Sequence, residues 1–267
     1  MDSRPDSVTE RTLGVYRDVN IRAMLRRGCR RRGGIPAPAG YGGVMLIAED
    51  LLLLATDETT GKSSISTMQL DPALAGAVLM ELVVAGRIGL EGQGRKAQVV
   101  VIDKTPVDDP TLDPALQTLL VKAPIRPVSA IGALGKGLRE RLYNGLQDRG
   151  ILRRDSGKIL GIFPTTRWPA EDSRHEDELR RDISNVLVIG QEPTARVAAI
   201  IAVLTAADML KTVVDKPDLK LAKERGQQIS DGNWATDSVR KAIQEMQAAM
   251  SVAVMVSSTA VVVGGSS

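Results

Sequence analysis

The side chains able to do chemistry are few and far apart. The 267 residues contain one histidine, His175, and one cysteine, Cys29. Nucleophilic catalysis needs a base within hydrogen-bond reach of the nucleophile. His175 stands in a charged run, 171–181, and reads as a solvated surface residue; Cys29 stands among arginines with nothing apolar to build a pocket. A Cys–His pair is not expected, and a lone cysteine excludes an internal disulfide. Metal sites need clustered His, Cys or carboxylates. Asp108, Asp109 and Asp113 are close together, but beside Pro110 and Pro114 they read as turn and cap residues. Gly61-Lys62-Ser63 has the tail of a phosphate-cradling loop, yet the first glycine of that motif would fall on Thr56, after a helical pattern where a strand is required. Gly92-Gln93-Gly94-Arg95-Lys96-Ala97 has the letters of a dinucleotide-binding turn, but a strand-like run, 98–102, follows it. No helix N-terminus is then available to face a pyrophosphate. No catalytic residue, metal ligand or cofactor is expected.

What remains is cationic. Arg22, Arg26, Arg27, Arg30, Arg31 and Arg32 crowd one segment, and Lys136, Arg139 and Tyr143 fall at i, i+3 and i+7 of an expected helix, on one face. Arginine clusters gain affinity from any polyanion, membrane or nucleic acid. The net charge is only +3, so without those six arginines the chain is slightly acidic and any basic surface is local. Aromatic residues make up 2%, which argues against the stacking platforms that hold single-stranded nucleic acid.

The elements that must position these groups are mostly helical. Residues 1–43 are rich in Arg, Gly and Pro with little to bury, and are expected to be a disordered tail. A first helix is expected over 44–55. The central one follows, with Asp71 as N-cap and Pro72 at its first position; Glu81 is the only charge in 73–85, so it reads as buried on nearly all sides. Gly86 ends it, and 87–91 with 96–102 alternate as a hairpin. A short helix over 114–122, capped by Asp113, precedes one long helix over 129–149 with Leu134, Leu138, Leu142 and Leu146 in a stripe. A second hairpin is expected around Asp155-Ser156-Gly157, then a loop over 164–173 and helices over 174–189, 194–214, 219–229 and 238–253, with a flexible tail at 254–267. No run reaches the roughly 20 apolar residues of a membrane span, and no secretory signal pattern opens the chain. A mostly α single domain over 44–253, with short β-hairpins and in the cytoplasm, is the expectation.

Leu51–Leu54 with Asp57 and Gly61, Leu74-Ala75-Gly76 running to Met80-Glu81-Leu82, and Gly86-Arg87-Ile88 together resemble the Golgi phosphoprotein 3 family. Leu138-Arg139-Glu140-Arg141-Leu142, Phe163, Thr165-Thr166 with Pro169, and Arg196 with Ala207-Asp208-Met209-Leu210 continue the series in order over about 44–230. The resemblance implies a helical, non-enzymatic domain that binds membrane peripherally through phosphatidylinositol 4-phosphate and, in eukaryotic members, links that lipid to Golgi enzymes and coat proteins. The family's headgroup site has a tryptophan, an arginine on the buried helix and two arginines on the later helix. Lys136 and Arg139 stand at the last two positions and keep both charges, whereas Ser66 and Ala75 replace the tryptophan and the first arginine. Losing that arginine removes a phosphate fork, and losing the tryptophan removes an interfacial anchor. These departures, in an Ala-, Val- and Arg-rich chain, suggest a bacterial branch with a degraded site. The partners implied are an anionic phospholipid, with a homo-oligomer and a protein partner left open. Two alternatives stand beside this reading: a winged-helix-like DNA-binding regulator, since a helix followed by a two-stranded wing occurs twice, and a protein-only scaffold. Nucleic acid is the less favoured partner because 73–85 offers no side chain to base edges.

Overall fold

The computed structural model describes residues 45–92, 94–159, 163–231, 244 and 247–255. Helices α1 (Ile47–Leu54) and α2 (Thr67–Val84) lead into a hairpin, β1 (Ile88–Glu91) and β2 (Gln98–Val101). Then come α3 (Leu112–Lys122), α4 (Pro127–Leu134), α5 (Leu138–Asp148) and a second hairpin, β3 (Asp155–Ile159) and β4 (Phe163–Arg167). Helices α6 (Arg174–Ser184), α7 (Ala195–Ala206) and α8 (Leu219–Asp231) complete the series, α6 running on into a wide turn, Asn185–Ile189. Both hairpins are two-stranded antiparallel pairs, the first in the register Ile88↔Val101 to Glu91↔Gln98. The mostly helical expectation holds.

Helix α2 is the centre, contacted by α1, α3, α4, α5 and α7. It is long and apolar enough to cross a membrane, but 61% of it is buried inside the fold, which makes it a core helix. Leu74, Val78, Leu79 and Leu82 are wholly buried, as expected from the single charge in the run. Its start differs from expectation. Ser66 is the N-cap, and Asp71 and Pro72 lie inside the helix. Proline there removes one backbone donor. Burying Leu70 completely, one turn ahead of Leu74, draws the earlier turn into the core and outweighs that loss. At Gly76 an added Cβ would come within 2.1 Å of the Met250 sulfur, so the missing side chain is a notch into which residues 247–255 seat a buried methionine.

The long helix expected over 129–149 is two helices. Gly137 adopts φ 65°, and the chain breaks at 135–137 before α5 begins. All four stripe leucines are still buried, so the core pattern survives the break, but Lys136 is not on a helix and its i, i+3, i+7 relation to Arg139 and Tyr143 does not exist. Thr111, not Asp113, is the N-cap of α3; Asp113 lies in the first turn and accepts from the Val107 and Asp109 amides, while Asp109 Oδ1 accepts from the Thr111 and Leu112 amides. Asp155, Ser156 and Gly157 are strand residues paired with Arg167, Thr166 and Thr165, so the second hairpin does not turn at these residues and 164–167 is strand rather than loop. The β-branched Thr165 and Thr166 favour that state. Helix α7 stops at Ala206, not 214. The Met209 amide reaches back to the Leu204 carbonyl and Asp208 takes φ 52°, the left-handed stop in which aspartate replaces glycine. The expected N-terminal tail lies outside the described residues. Residues 250–255 are helical, past the expected boundary at 253, and the rest of the expected C-terminal tail is outside.

Candidate functional site

The α4–α5 break and the first turns of α2 face each other. A Cβ added to Gly135 would lie 4.0 Å from the Asp71 carbonyl, and Arg139 Nε is 3.5 Å from Asp71 Oδ1 across the same gap. Lys136 is exposed on the break; among the described residues its ammonium has no hydrogen-bond or ion-pair partner, while its carbonyl accepts from Arg141. The Arg139 side chain is 32% exposed and Asp71 is its partner. Burial pushes the Asp71 carboxyl up from its ordinary value, and Arg139 pulls the other way. Ser66 is exposed at the N-cap of α2 without a capping hydrogen bond. Ala75 is wholly buried, beyond reach of any ligand. Lys136 and Ser66 are thus exposed, Arg139 is tied to α2 through Asp71, and Ala75 is inside the core.

An aromatic stack lies one turn further along α5. Tyr143, one turn after Arg139 on α5, stacks on Trp168 with ring centroids 4.8 Å apart, and its hydroxyl bonds Thr56 at 2.8 Å. Arg154 lies over the outer face of Trp168, 5.5 Å from the ring centroid. Gly61 holds the preceding loop against this stack: with φ 63°, a Cβ there would meet the Trp168 and Pro169 backbone at 2.3 Å.

A second polar cluster was not foreseen. Asp50 is wholly buried in α1, and its two oxygens are taken by His175 Nε2 at 2.7 Å and by Arg196, which also bonds the Met45 carbonyl. The solvated surface reading of His175 is thus corrected: it is a half-buried link between α6 and α1. The hydrogen bond to Asp50 raises the His175 pKa, against desolvation. Next to this, Glu81 Oε1 accepts the Ile47 amide at 2.7 Å, and desolvation pushes its carboxyl up to about 7. Burial likewise raises Glu49, which pairs with Arg149. Asp50 is wholly buried with each oxygen hydrogen-bonded, and the cluster ties α1 to α2, α6 and α7. A signal did exist in the sequence. Glu49 and Asp50 stand directly before Leu51–Leu54 in a helix apolar all round, and acids so placed must be buried and paired.

The Golgi phosphoprotein 3 (GPP34) family model matches residues 47–246. The chain belongs to the Golgi phosphoprotein 3 family. Among curated relatives of this family chain, the vacuolar protein sorting-associated protein 74 of Eremothecium gossypii is 26% identical over 164 residues, covering 54% of this chain and 49% of the relative. The Schizosaccharomyces pombe protein of the same name is 24% identical over 163 residues, covering 54% and 48%. The chain spans about half the length of the curated relatives it matches.

Proposed function

We propose that this Golgi phosphoprotein 3 family chain is a non-enzymatic domain, over 44–253, that docks transiently on anionic membrane from the cytoplasm, with Lys136 and Arg139 as its headgroup contacts. The observation that carries the reading is the exposed Lys136 ammonium, unpaired among the described residues, beside the half-exposed Arg139. Against acid–base chemistry stands the place of Asp50, wholly buried and hydrogen-bonded through both oxygens to His175 and Arg196. Ser66 and Ala75 supply neither an apolar anchor nor a phosphate fork, so selectivity for phosphatidylinositol 4-phosphate over phosphatidylglycerol is low. Two basic side chains at about 1 kcal/mol each hold a membrane weakly, and self-association would raise the avidity.

The test is flotation of the full chain with phosphatidylcholine vesicles carrying phosphatidylglycerol or phosphatidylinositol 4-phosphate, at low and high salt, beside a DNA shift assay. The wild type is expected to float with both lipids, less at high salt because exposed charges are screened over about 10 Å at 0.1 M. Lys136→Glu with Arg139→Glu is expected to lose at least about 30-fold in partitioning, two charges' worth, without a change in melting temperature. An unaffected double mutant, or DNA binding without vesicle binding, would overturn the reading. Strong, salt-resistant selectivity for the phosphoinositide would overturn the account of Ser66 and Ala75.

A further inference from the structure

We infer that Asp71 is a built-in competitor of the phosphate anion for Arg139, and so sets how tightly this surface holds an anionic lipid; the inference rests on the membrane reading above. Three observations carry it. Asp71 is not the cap of α2 and, among the described residues, accepts from no backbone amide: its Oδ1 is buried without a hydrogen bond there, and the Arg139 guanidinium is its ion-pair contact, at 3.5 Å. Arg139 in turn comes closest to Asp71 through Nε, and its two terminal nitrogens make no hydrogen bond among the described residues. A guanidinium has five donors in a planar fork, so most of its binding capacity is left toward solvent. Finally, the pair is long and its side chains are partly exposed, at 32% and 39%, although the contacting Oδ1 is itself covered.

Such a bridge exchanges readily, because a long ion pair between partly exposed side chains gives little net stability. A phosphate oxygen pair can take both terminal nitrogens bidentately, which one carboxylate oxygen at the Nε edge does not. While Asp71 is charged, the formal charge of the Lys136–Arg139–Asp71 group is +1 instead of +2. The competitor therefore halves the charge that the surface presents to an anion. The direction of the Asp71 pKa agrees: a carboxyl raised by burial is a less strongly held counter-ion than one optimised for its arginine.

Asp71→Asn keeps shape and removes the charge. In flotation of the full chain with phosphatidylglycerol vesicles, this variant is expected to partition about fivefold more strongly than wild type, one charge's worth. The gain is expected to vanish when Arg139→Gln is already present. Asp71→Ser, with melting curves for every variant, separates the effect from a folding defect and should give the same gain. Inorganic phosphate, titrated against the same variants and read by thermal shift, distinguishes the source of the anion. A gain on vesicles alone assigns the surface to a lipid headgroup, and a gain with phosphate in both formats assigns it to the phosphate group itself; each supports competition. Weaker vesicle binding by Asp71→Asn would make Asp71 a residue that positions Arg139, and an equal gain in the Arg139→Gln background would make it a general repulsive charge; either overturns the inference and leaves the membrane reading standing. Failure of every variant to bind vesicles or phosphate overturns both.

Discussion

Glu81→Gln should make the protein more stable at pH 8 and leave it nearly unchanged at pH 5. Glu81 is the single charge in the buried run of α2, and its Oε1 accepts the Ile47 amide at the head of α1. Desolvation raises its pKa from 4.5 to about 7, more than the Ile47 hydrogen bond and Arg196 lower it, with Asp50 and Asp109 pushing further upward. A carboxyl raised in the folded state binds its proton more tightly there than in the unfolded chain. Stability is therefore greatest below 4.5 and falls as pH rises through about 7. The rise corresponds to about 3 kcal/mol, a large part of a total of roughly 5–15. Glutamine keeps the carbonyl oxygen that accepts from Ile47 and never ionises, so that loss disappears. Urea titrations of wild type and variant at pH 5 and pH 8 measure it directly. The wild type should lose stability between the two, and the variant should lose less. His175, raised above 6.5, acts in the same direction: its stabilisation is complete below 6.5 and is lost as pH rises through the folded value, so a residual slope in the variant is expected. A wild type with flat stability from pH 5 to 8, or a variant less stable at pH 8, would refute the claim that Glu81 is held in a desolvated place.

His175→Ala removes one of the two side-chain donors to the buried Asp50 and should cost about 1–3 kcal/mol, more at pH 6 than at pH 8 because the charged imidazole is the stabilising form; melting curves at both pH values check it. Leu79→Asp puts a carboxylate where the leucine is wholly buried and should abolish the cooperative melt; unchanged circular dichroism would remove α2 from the core. Deleting residues 1–43 should leave the melt cooperative, since the core of described residues begins at Leu46; loss of cooperativity would make that segment structural.

Patterns that report burial were readable in the sequence, and patterns that depend on one backbone angle or one distant partner were not. The uniform apolarity of 73–85 marked the core helix because no rotation of it leaves a polar face. The leucine stripe of 134–146 was equally clear, yet it concealed the break: Leu134 and Leu138 remain buried on both sides of a left-handed Gly137, so a four-residue spacing does not require a continuous helix. Asp71-Pro72 looked like a cap because the dipeptide is favoured there. Burial of Leu70, a tertiary effect, moved the start back to Ser66. For His175 the partner is 125 residues away, and a charged local run says nothing about that. Lys136 and Arg139 were singled out by resemblance and by a helical spacing that the structure lacks; Lys136 is exposed on the break and Arg139 pairs with Asp71 of α2.

The notch at Gly76 bears on how the chain is made. Helix α2 has the length and apolarity of a membrane span, and its cover is assembled from both directions: α1 before it, α7 more than a hundred residues later, and Met250 later still. A ribosome adding about 5–20 residues per second needs on the order of ten seconds or more to reach Met250 after α2 has emerged. During that interval α2 exposes the features that membrane-insertion machinery and chaperones recognise in a nascent chain. Holding α2 in solution until the methionine arrives is thus a kinetic demand on synthesis, separate from the stability of the finished fold. A Met250→Ala chain should prolong chaperone association even where its purified form still melts cooperatively.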